Sequence, residues 1–343
     1  LDTIITRNFV EGGSNVYQGS SHGFSVLSTM AAYQPEVFIG TAPQASYALI
    51  KTEKELSETP EEMMNWIAGA EFADSIGADI INSSLGYSTF DDPNDDYSVS
   101  DLDGRTSIIS LGALAAARTG MLVVTSAGNA GGSSWDKLTF PADADSILTV
   151  GSVTQYGVAS SFSSRGYTVD GRVKPNVCAR GEGAVVYRSD GTLAYANGTS
   201  FSSPIMAGAA ACLWSTVPDA TAQEVIEALE VSASHYYQHN PRIGYGIPNL
   251  GFAHRYLSTI VDGKLPEIVV YPNPFPDYIS LFLPDGEALD IHLELRDLNQ
   301  RTVAVATLES KRYKALWSPG DNIAAGTYIL YIERGGRTQM QRV

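Results

Sequence analysis

Three short apolar runs that end in small polar residues constrain this chain more than any other feature of it. They are ADIINSSLG (78–86), MLVVTSAGNAGG (121–132) and SILTVGSV (146–153). Each has the length and composition of a strand buried on both faces, the kind that populates parallel sheets. Between the first two, TSIISLGALAAARTG (106–120) has a start signal, an apolar face and a terminating Gly, and so predicts a helix. SFSSPIMAGAAACLWSTVP (200–218) and TAQEVIEALEVSAS (221–234) predict two consecutive helices further on. This alternation, sustained over residues 20–260, predicts an α/β fold with a mostly parallel sheet flanked by helices. Ligands of such sheets bind beyond the carboxyl ends of the strands. Ser, Asn and Gly at those ends therefore mark where a site belongs.

The pattern breaks near residue 262. VDGKLPEIVVYPNPFPDY (261–278) is proline-rich, and short alternating strands follow it: ISLFLP, DIHLELRDL, TVAVATLE and GTYILYIERGG. Turn residues separate them, and no helical period is evident. The 343 residues are thus expected to divide into an α/β domain (1–260), a linker (261–270) and a small all-β sandwich (271–343). No internal repeat relates the parts.

Composition narrows the function. A net charge of −16 argues against a nucleic-acid partner, because phosphate binding needs a basic face. The two cysteines, Cys178 and Cys212, lie in apolar stretches and read as buried small hydrophobes rather than a disulfide. No apolar run approaches the ~18–20 residues of a membrane span. The chain begins with Leu and shows no signal peptide, which reads as a processed or truncated product.

Three residues carry the chemistry. His22 precedes a helical pattern in SSHGFSVLSTMAA, Asn129 ends a buried strand in TSAGNAGG, and Ser200 opens a helix in GTSFSSP. Singly, each has an ordinary reading: a structural His, a turn-forming Asn, a helix-capping Ser. Together they supply the three things acyl transfer needs. A hydroxyl attacks, an imidazole takes its proton, and an amide steadies the oxyanion. A serine at a helix N-terminus also gains from the free N–H groups and the dipole there.

The order His-Gly, Ala-Gly-Asn, then Gly-Thr-Ser-x-x-Ser-Pro resembles the subtilisin-like serine proteases, the subtilase family, over about residues 15–258. The resemblance implies a secreted serine endopeptidase that hydrolyses peptide bonds through an acyl-enzyme and requires no cofactor. It makes Ser200 the nucleophile, His22 the general base, and Asn129 the side-chain donor of the oxyanion hole. Ser84, Leu85 and Gly86 would pair with an extended peptide substrate. Ser126, Ala127 and Gly128 would wall the S1 pocket, with Thr139 near its base.

One departure stands against these matches. The family's catalytic Asp lies some thirty or more residues before the His, in an Asp-x-Gly context; here only 21 residues precede His22, and Asp2 is followed by Thr-Ile. The triad Asp is therefore expected to be absent from this chain and supplied by a separate N-terminal fragment of the same precursor, along with a central strand of the sheet. The alternative is a catalytically inactive binding or surface protein on the same scaffold. The C-terminal unit, with YPNPF and GTYILYIERGGRTQMQRV, resembles the sorting domain of type IX secretion substrates. That implies export by the type IX machinery to the exterior or outer surface of a Gram-negative bacterium.

Other signals point less far. DDPNDDYSVSDLDG (91–104) packs six carboxylates into fourteen positions, making Asp91, Asp92, Asp95 and Asp96 the candidates for a structural calcium, though the spacing matches no known cage and a solvated loop accounts for them better. His235 and His239 are four apart but lack an acidic ligand pattern for zinc. Asn176 stands where the family commonly has an acidic residue, and sequence alone supplies no reason.

Overall fold

The structure is a computed structural model and describes residues 4–236, 238–262, 268–271, 275, 278–283, 289–309, 314–320 and 323–343. Asp2 and the Pro272-Asn273-Pro274 motif lie outside these residues. The chain divides into two compact units, Leu1–His254 and Arg255–Val343.

In chain order the first unit contains β1 (Ile4–Asn8), α1 (His22–Ala31), β2 (Tyr33–Gln34), β3 (Phe38–Ile39), β4 (Tyr47–Lys51), α2 (Pro60–Ser75) and β5 (Ile80–Ser83). There follow α3 (Ile108–Arg118), β6 (Leu122–Ser126), β7 (Leu148–Val153), β8 (Val177–Arg180), the hairpin β9 (Ala184–Tyr187) and β10 (Leu193–Ala196), then α4 (Thr199–Ser215) and α5 (Ala222–Val231). The unit boundary falls inside α6 (Leu250–Asp262). The α/β expectation holds: β5, β6, β7 and β8 form a parallel sheet in that order. Ser83 lies opposite Thr125, and Ser126 opposite Val150. Every residue of β6 and β7 is buried, as their run of apolar and small residues demands.

The remaining parallel pairing is separate. β1 pairs only with β4, and among the described residues no strand bonds to the far edge of β4 or of β5. Yet α2 lies across both strands. Asn65 Nδ2 donates to the Thr52 carbonyl just past β4 at 3.2 Å, while Trp66 Nε1 donates to Ser83 Oγ on β5 at 2.9 Å. Gly69 lets this helix close on β4, since a β-carbon there would sit 3.0 Å from Ile50 Cγ2. Beyond the strand ends, the Tyr87 hydroxyl donates to both oxygens of Glu53, at 2.7 and 2.8 Å. β4 and β5 are thus neighbours without being partners, and β4 is only half-buried along its whole length.

Two details correct or complete the sequence reading. Cys178 is buried, but Cys212 is exposed, because α4 emerges from the core after its first three turns. Its Sγ sits 3.1 Å from the Thr41 carbonyl. Asn176 joins a buried knot: Lys174 Nζ donates to the Ile147 carbonyl at 2.9 Å, to Thr149 Oγ1 at 3.1 Å and to Asn176 Oδ1 at 3.0 Å. Asn176 Nδ2 in turn donates to Glu230 Oε1 at 2.5 Å. An amide can accept from the ammonium and donate to the carboxylate at once; an Asp here could not donate to Glu230. Burial pushes the Lys174 pKa down to about 7.

The second unit holds β11 (Val269–Tyr271), β12 (Ile279–Phe282), β13 (Asp290–Arg296), β14 (Thr302–Glu309), β15 (Lys314–Trp317), β16 (Ile329–Arg334) and β17 (Arg337–Arg342). They make two antiparallel sheets, β11-β12-β15 and β14-β13-β16-β17. The sheets share one core that includes Ile279, Leu281, Ile291, Leu293, Leu295, Trp317, Leu330 and Ile332. Alternation along β13 buries Ile291, Leu293 and Leu295 and turns the polar residues between them outward.

Replacing Asn176 with Ala strips Lys174 and Glu230 of a partner each in a dry environment. The expected cost is about 2–3 kcal/mol, read as a lower urea midpoint with an unchanged slope.

Candidate active site

Gly198 caps α4, and the helix's first turn is buried, Ser200 included at 9% exposure. Pro204 sits four residues after Ser200 and has no N–H, so the Ser200 carbonyl loses its helical donor. Ser84 Oγ takes that place, donating to the Ser200 carbonyl at 2.8 Å. Ser200 Oγ returns a long bond to the Ser84 carbonyl at 3.4 Å, and Ser203 Oγ donates to Asn82 Oδ1 at 2.9 Å. The missing proline hydrogen bond is thus used to clasp the end of β5 to the opening turn of α4.

A second clasp ties the end of β6 to the same turn. Thr199 donates twice to Asn129 Oδ1, from its backbone N at 2.8 Å and from Oγ1 at 3.0 Å. Thr199 Oγ1 meanwhile accepts from the Gly128 N–H at 3.2 Å. Two donors on Oδ1 define which end of the amide is which. They leave Nδ2 as the outward donor, 3.6 Å from where a β-carbon of Gly198 would lie. Asn129 is exposed while Ala127 and Gly128 behind it are buried.

His22 is the first residue of α1, and its backbone N–H is taken by Ser20 Oγ at 3.2 Å. α1 is seated by a small core in which Val26 packs with Phe201, Ala184 and Val186. Ser25 and Ser28 bond the backbone of Tyr187 on β9, at 3.0 and 2.9 Å. The imidazole lies beside the residue that follows Ser200, with ring centroids 6.0 Å apart from Phe201. His22 and Ser200 therefore share one side of the sheet. Among the described residues no hydrogen bond joins them, and such bonds are often loose before substrate binds. Loss of solvation holds the His22 pKa below its usual value.

The segments after β5 and β6 run side by side, and Ser126 Oγ donates to the Leu85 carbonyl at 3.4 Å. Tyr87 and Phe140 exchange backbone bonds at 3.0 and 2.9 Å, and the Thr139 N–H donates to the Ala127 carbonyl at 3.2 Å. Ser84, Leu85, Gly86, Ser126, Ala127, Gly128 and Thr139 are thus brought together, next to Ser200 and Asn129. The other candidates lie elsewhere. Asp91 accepts from the Glu58 N–H, Asp92 from Asn94 and Asp96 from the Phe90 N–H, so these carboxylates cap loop amides. Among the described residues no group of three or more His, Cys, Asp or Glu is disposed for a metal. His239 Nδ1 is 3.0 Å from the Tyr167 hydroxyl, and His235 Nδ1 is 2.9 Å from Ser234 Oγ.

Sequence reasoning gave no role to Thr199 or to Pro204. The proline's was legible, because its spacing of four from Ser200 removes one helical bond. Thr199's was not, since it depends on a strand seventy residues earlier arriving beside it.

A serine on a helix N-terminus, an imidazole beside the residue that follows it and an amide turned outward by the neighbouring strand, all beyond the carboxyl ends of a parallel sheet, define the serine-hydrolase class of site. The subtilase family model matches residues 5–247, and the chain belongs to that family. It is 34% identical over 232 residues to subtilisin E of Bacillus subtilis (strain 168), covering 66% of this chain and 55% of that one. The subtilisin of Bacillus pumilus is also 34% identical, with 66% of this chain and 76% of that one covered. The chain spans a little over half the length of subtilisin E. Among solved structures, the self-cleaved protease domain of PatA superposes with a TM-score of 0.56 at 26% identity, over 71% of this chain and 84% of that one.

A β-carbon at Gly86 would overlap Thr139 Oγ1. Gly86→Ala is expected to cost about 1–3 kcal/mol of stability. The Gly86→Ala/Thr139→Gly double variant should recover most of it, a coupling read from a double-mutant cycle of urea midpoints.

Proposed function

We propose that this chain is the main body of a secreted serine endopeptidase that cleaves peptide and protein substrates through an acyl-enzyme. The observation that carries the reading is the double donation of Thr199 to Asn129 Oδ1, which aims a free amide N–H beside the helix end that holds Ser200. An extended peptide lies along residues 84–86. Ser200 Oγ attacks its carbonyl carbon while His22 takes the hydroxyl proton. Charge on the carbonyl oxygen is met by Asn129 Nδ2 and the Ser200 backbone N–H. His22 then gives the proton to the leaving amine, and water, activated by the same imidazole, hydrolyses the ester.

The orienting carboxylate comes from outside these 343 residues, on an N-terminal fragment of the same precursor. The unbonded edges of β4 and β5, held side by side under α2, support a strand between them that delivers it. The related PatA protease domain is described as self-cleaved; cleavage of that kind here leaves such a fragment bound. The C-terminal unit serves as an address for type IX secretion, which puts the enzyme outside a Gram-negative cell or on its surface. A silent binding protein on the same scaffold is the second reading, favoured by the bond of Ser200 Oγ to the Ser84 carbonyl rather than to His22.

A fluorophosphonate probe is expected to label Ser200 in the purified protein, and intact-mass analysis to find a second, smaller polypeptide with it. Absence of labelling with that fragment present would favour the binding protein. Asn129→Leu should lower turnover ~10²–10³-fold with little change in KM. By NMR, His22 in this chain alone should titrate below 6.5, and its pKa should rise when the fragment brings a carboxylate beside it. Deleting residues 255–343 should trap the protein in the periplasm, as read by fractionation.

A further inference from the structure

We infer that Lys174 and Asn176 are a self-modifying pair: the lysine amine attacks the asparagine side-chain amide and joins to it in an isopeptide bond, with loss of ammonia. The pair lies at the amino ends of β7 and β8, the opposite end of the sheet from Ser200, so the inference does not depend on the protease reading. It is carried by a buried knot that supplies a nucleophile, an amide to be attacked, a donor for the oxyanion and a carboxyl on the leaving nitrogen. Lys174 and Asn176 are 3% and 8% exposed, and Thr149 is fully buried.

The Asn176 amide is fixed at both ends. Its Oδ1 accepts from the Thr149 backbone N–H at 2.8 Å and from Lys174 Nζ at 3.0 Å, while its Nδ2 donates to Glu230 Oε1 at 2.5 Å. Its backbone is held too: the Asn176 N–H donates to the Thr149 carbonyl and its carbonyl accepts from the Tyr245 N–H, each at 2.8 Å. Nζ therefore touches the oxygen of the amide, and Cγ lies one C=O bond, about 1.2 Å, from that oxygen. The Thr149 N–H polarises this carbonyl and meets the charge that attack places on Oδ1.

The lysine is prepared as a nucleophile. Burial lowers its pKa to about 7, so the neutral amine is populated. A neutral amine has two N–H groups where the ammonium has three. The Ile147 carbonyl at 2.9 Å and Thr149 Oγ1 at 3.1 Å take both, which leaves the lone pair facing Asn176. Thr149 Oγ1 spends its own proton on the Ala142 carbonyl, at 2.7 Å, and so can only accept from Nζ. Glu230 is close enough to act on the Lys174 charge, and burial raises its pKa, as suits a carboxyl that carries a proton.

In the step, the Nζ–Cγ bond forms as the C=O electron pair moves onto Oδ1. Glu230 takes the proton that Nζ sheds and passes it to Nδ2. The pair on oxygen then returns, the Cγ–Nδ2 bond breaks, and ammonia leaves. No oxidant or co-reactant is consumed. A neutral amide replaces the buried amine, and an ionised aspartate at 176 would resist the same attack.

The test is mass spectrometry of the full chain after it has been held folded until its mass is constant. Trypsin cuts after Arg172 and Arg180 but not between Lys174 and Pro175, so one peptide, 173–180, carries both residues. That peptide is expected to be lighter by one ammonia, and to give no separate fragments from backbone breaks inside the ring 174–176. Lys174→Met and Glu230→Gln should each restore the full mass. A full-mass peptide from the unsubstituted protein overturns the inference. So does a loss of ammonia that survives Lys174→Met, because the asparagine has then cyclised onto its own backbone. Should Lys174→Met fail to fold, fragmentation of the unsubstituted peptide decides alone: separate fragments from a break between Pro175 and Asn176 overturn it.

Discussion

The bond from the Thr199 N–H to Asn129 Oδ1 is the constraint on which the rest of the site depends. The first N–H groups of any helix have no partner within it. Here one of them reaches across to a strand end and holds a side-chain amide by its oxygen, which turns the nitrogen outward. The Thr199 hydroxyl adds a second bond to the same oxygen and accepts one from Gly128. One helix end therefore both orients an amide donor and presents Ser200 beside it, so the two groups cannot drift apart without breaking the opening turn of α4.

The same turn is held from the other side by β5. Pro204 removes the bond that would have kept the Ser200 carbonyl inside the helix, and Ser84 fills the vacancy. α4 is thereby sewn to the ends of two adjacent strands. The sheet is less continuous beyond β5. There α2, through Asn65 and Trp66, and the Tyr87–Glu53 contact do the joining that backbone ladders do elsewhere. Burial raises the Glu53 pKa, and burial with neighbouring carboxylates pushes Glu58 up to about 7, so this seam holds carboxyl groups away from ordinary solvation.

Much of this was legible beforehand. The run 121–132 could only be a buried strand, since every residue of LVVTS is apolar or small, and it is wholly buried in β6. The helix at 106–120 and the paired helices after Ser200 follow from period and caps. The antiparallel strands after residue 278 follow from alternation. The half-burial of β4 and β5 was not legible in the runs YALIK and IINS, because it depends on what lies beside them. Cys212 misled for a similar reason: its neighbours in sequence are apolar, but its face of α4 has left the core. Asn176 had no reason in the sequence, because Lys174 and Glu230 meet on either side of it only in the fold.

The sequence by itself determined which chemical groups are available and which elements carry them: a hydroxyl and a proline on a helix start, an imidazole opening another helix, an amide and small residues at strand ends. Local rules suffice for that, because caps, periods and missing N–H groups act over four residues or fewer. Only the tertiary structure decided that Asn129 meets Thr199, that Ser84 meets Ser200, and that Thr139 fills the space two glycines would otherwise leave. Those contacts join residues from eleven to more than a hundred positions apart. Which distant side chains come within hydrogen-bonding reach is settled by how the helices pack on the sheet, and no local period encodes it.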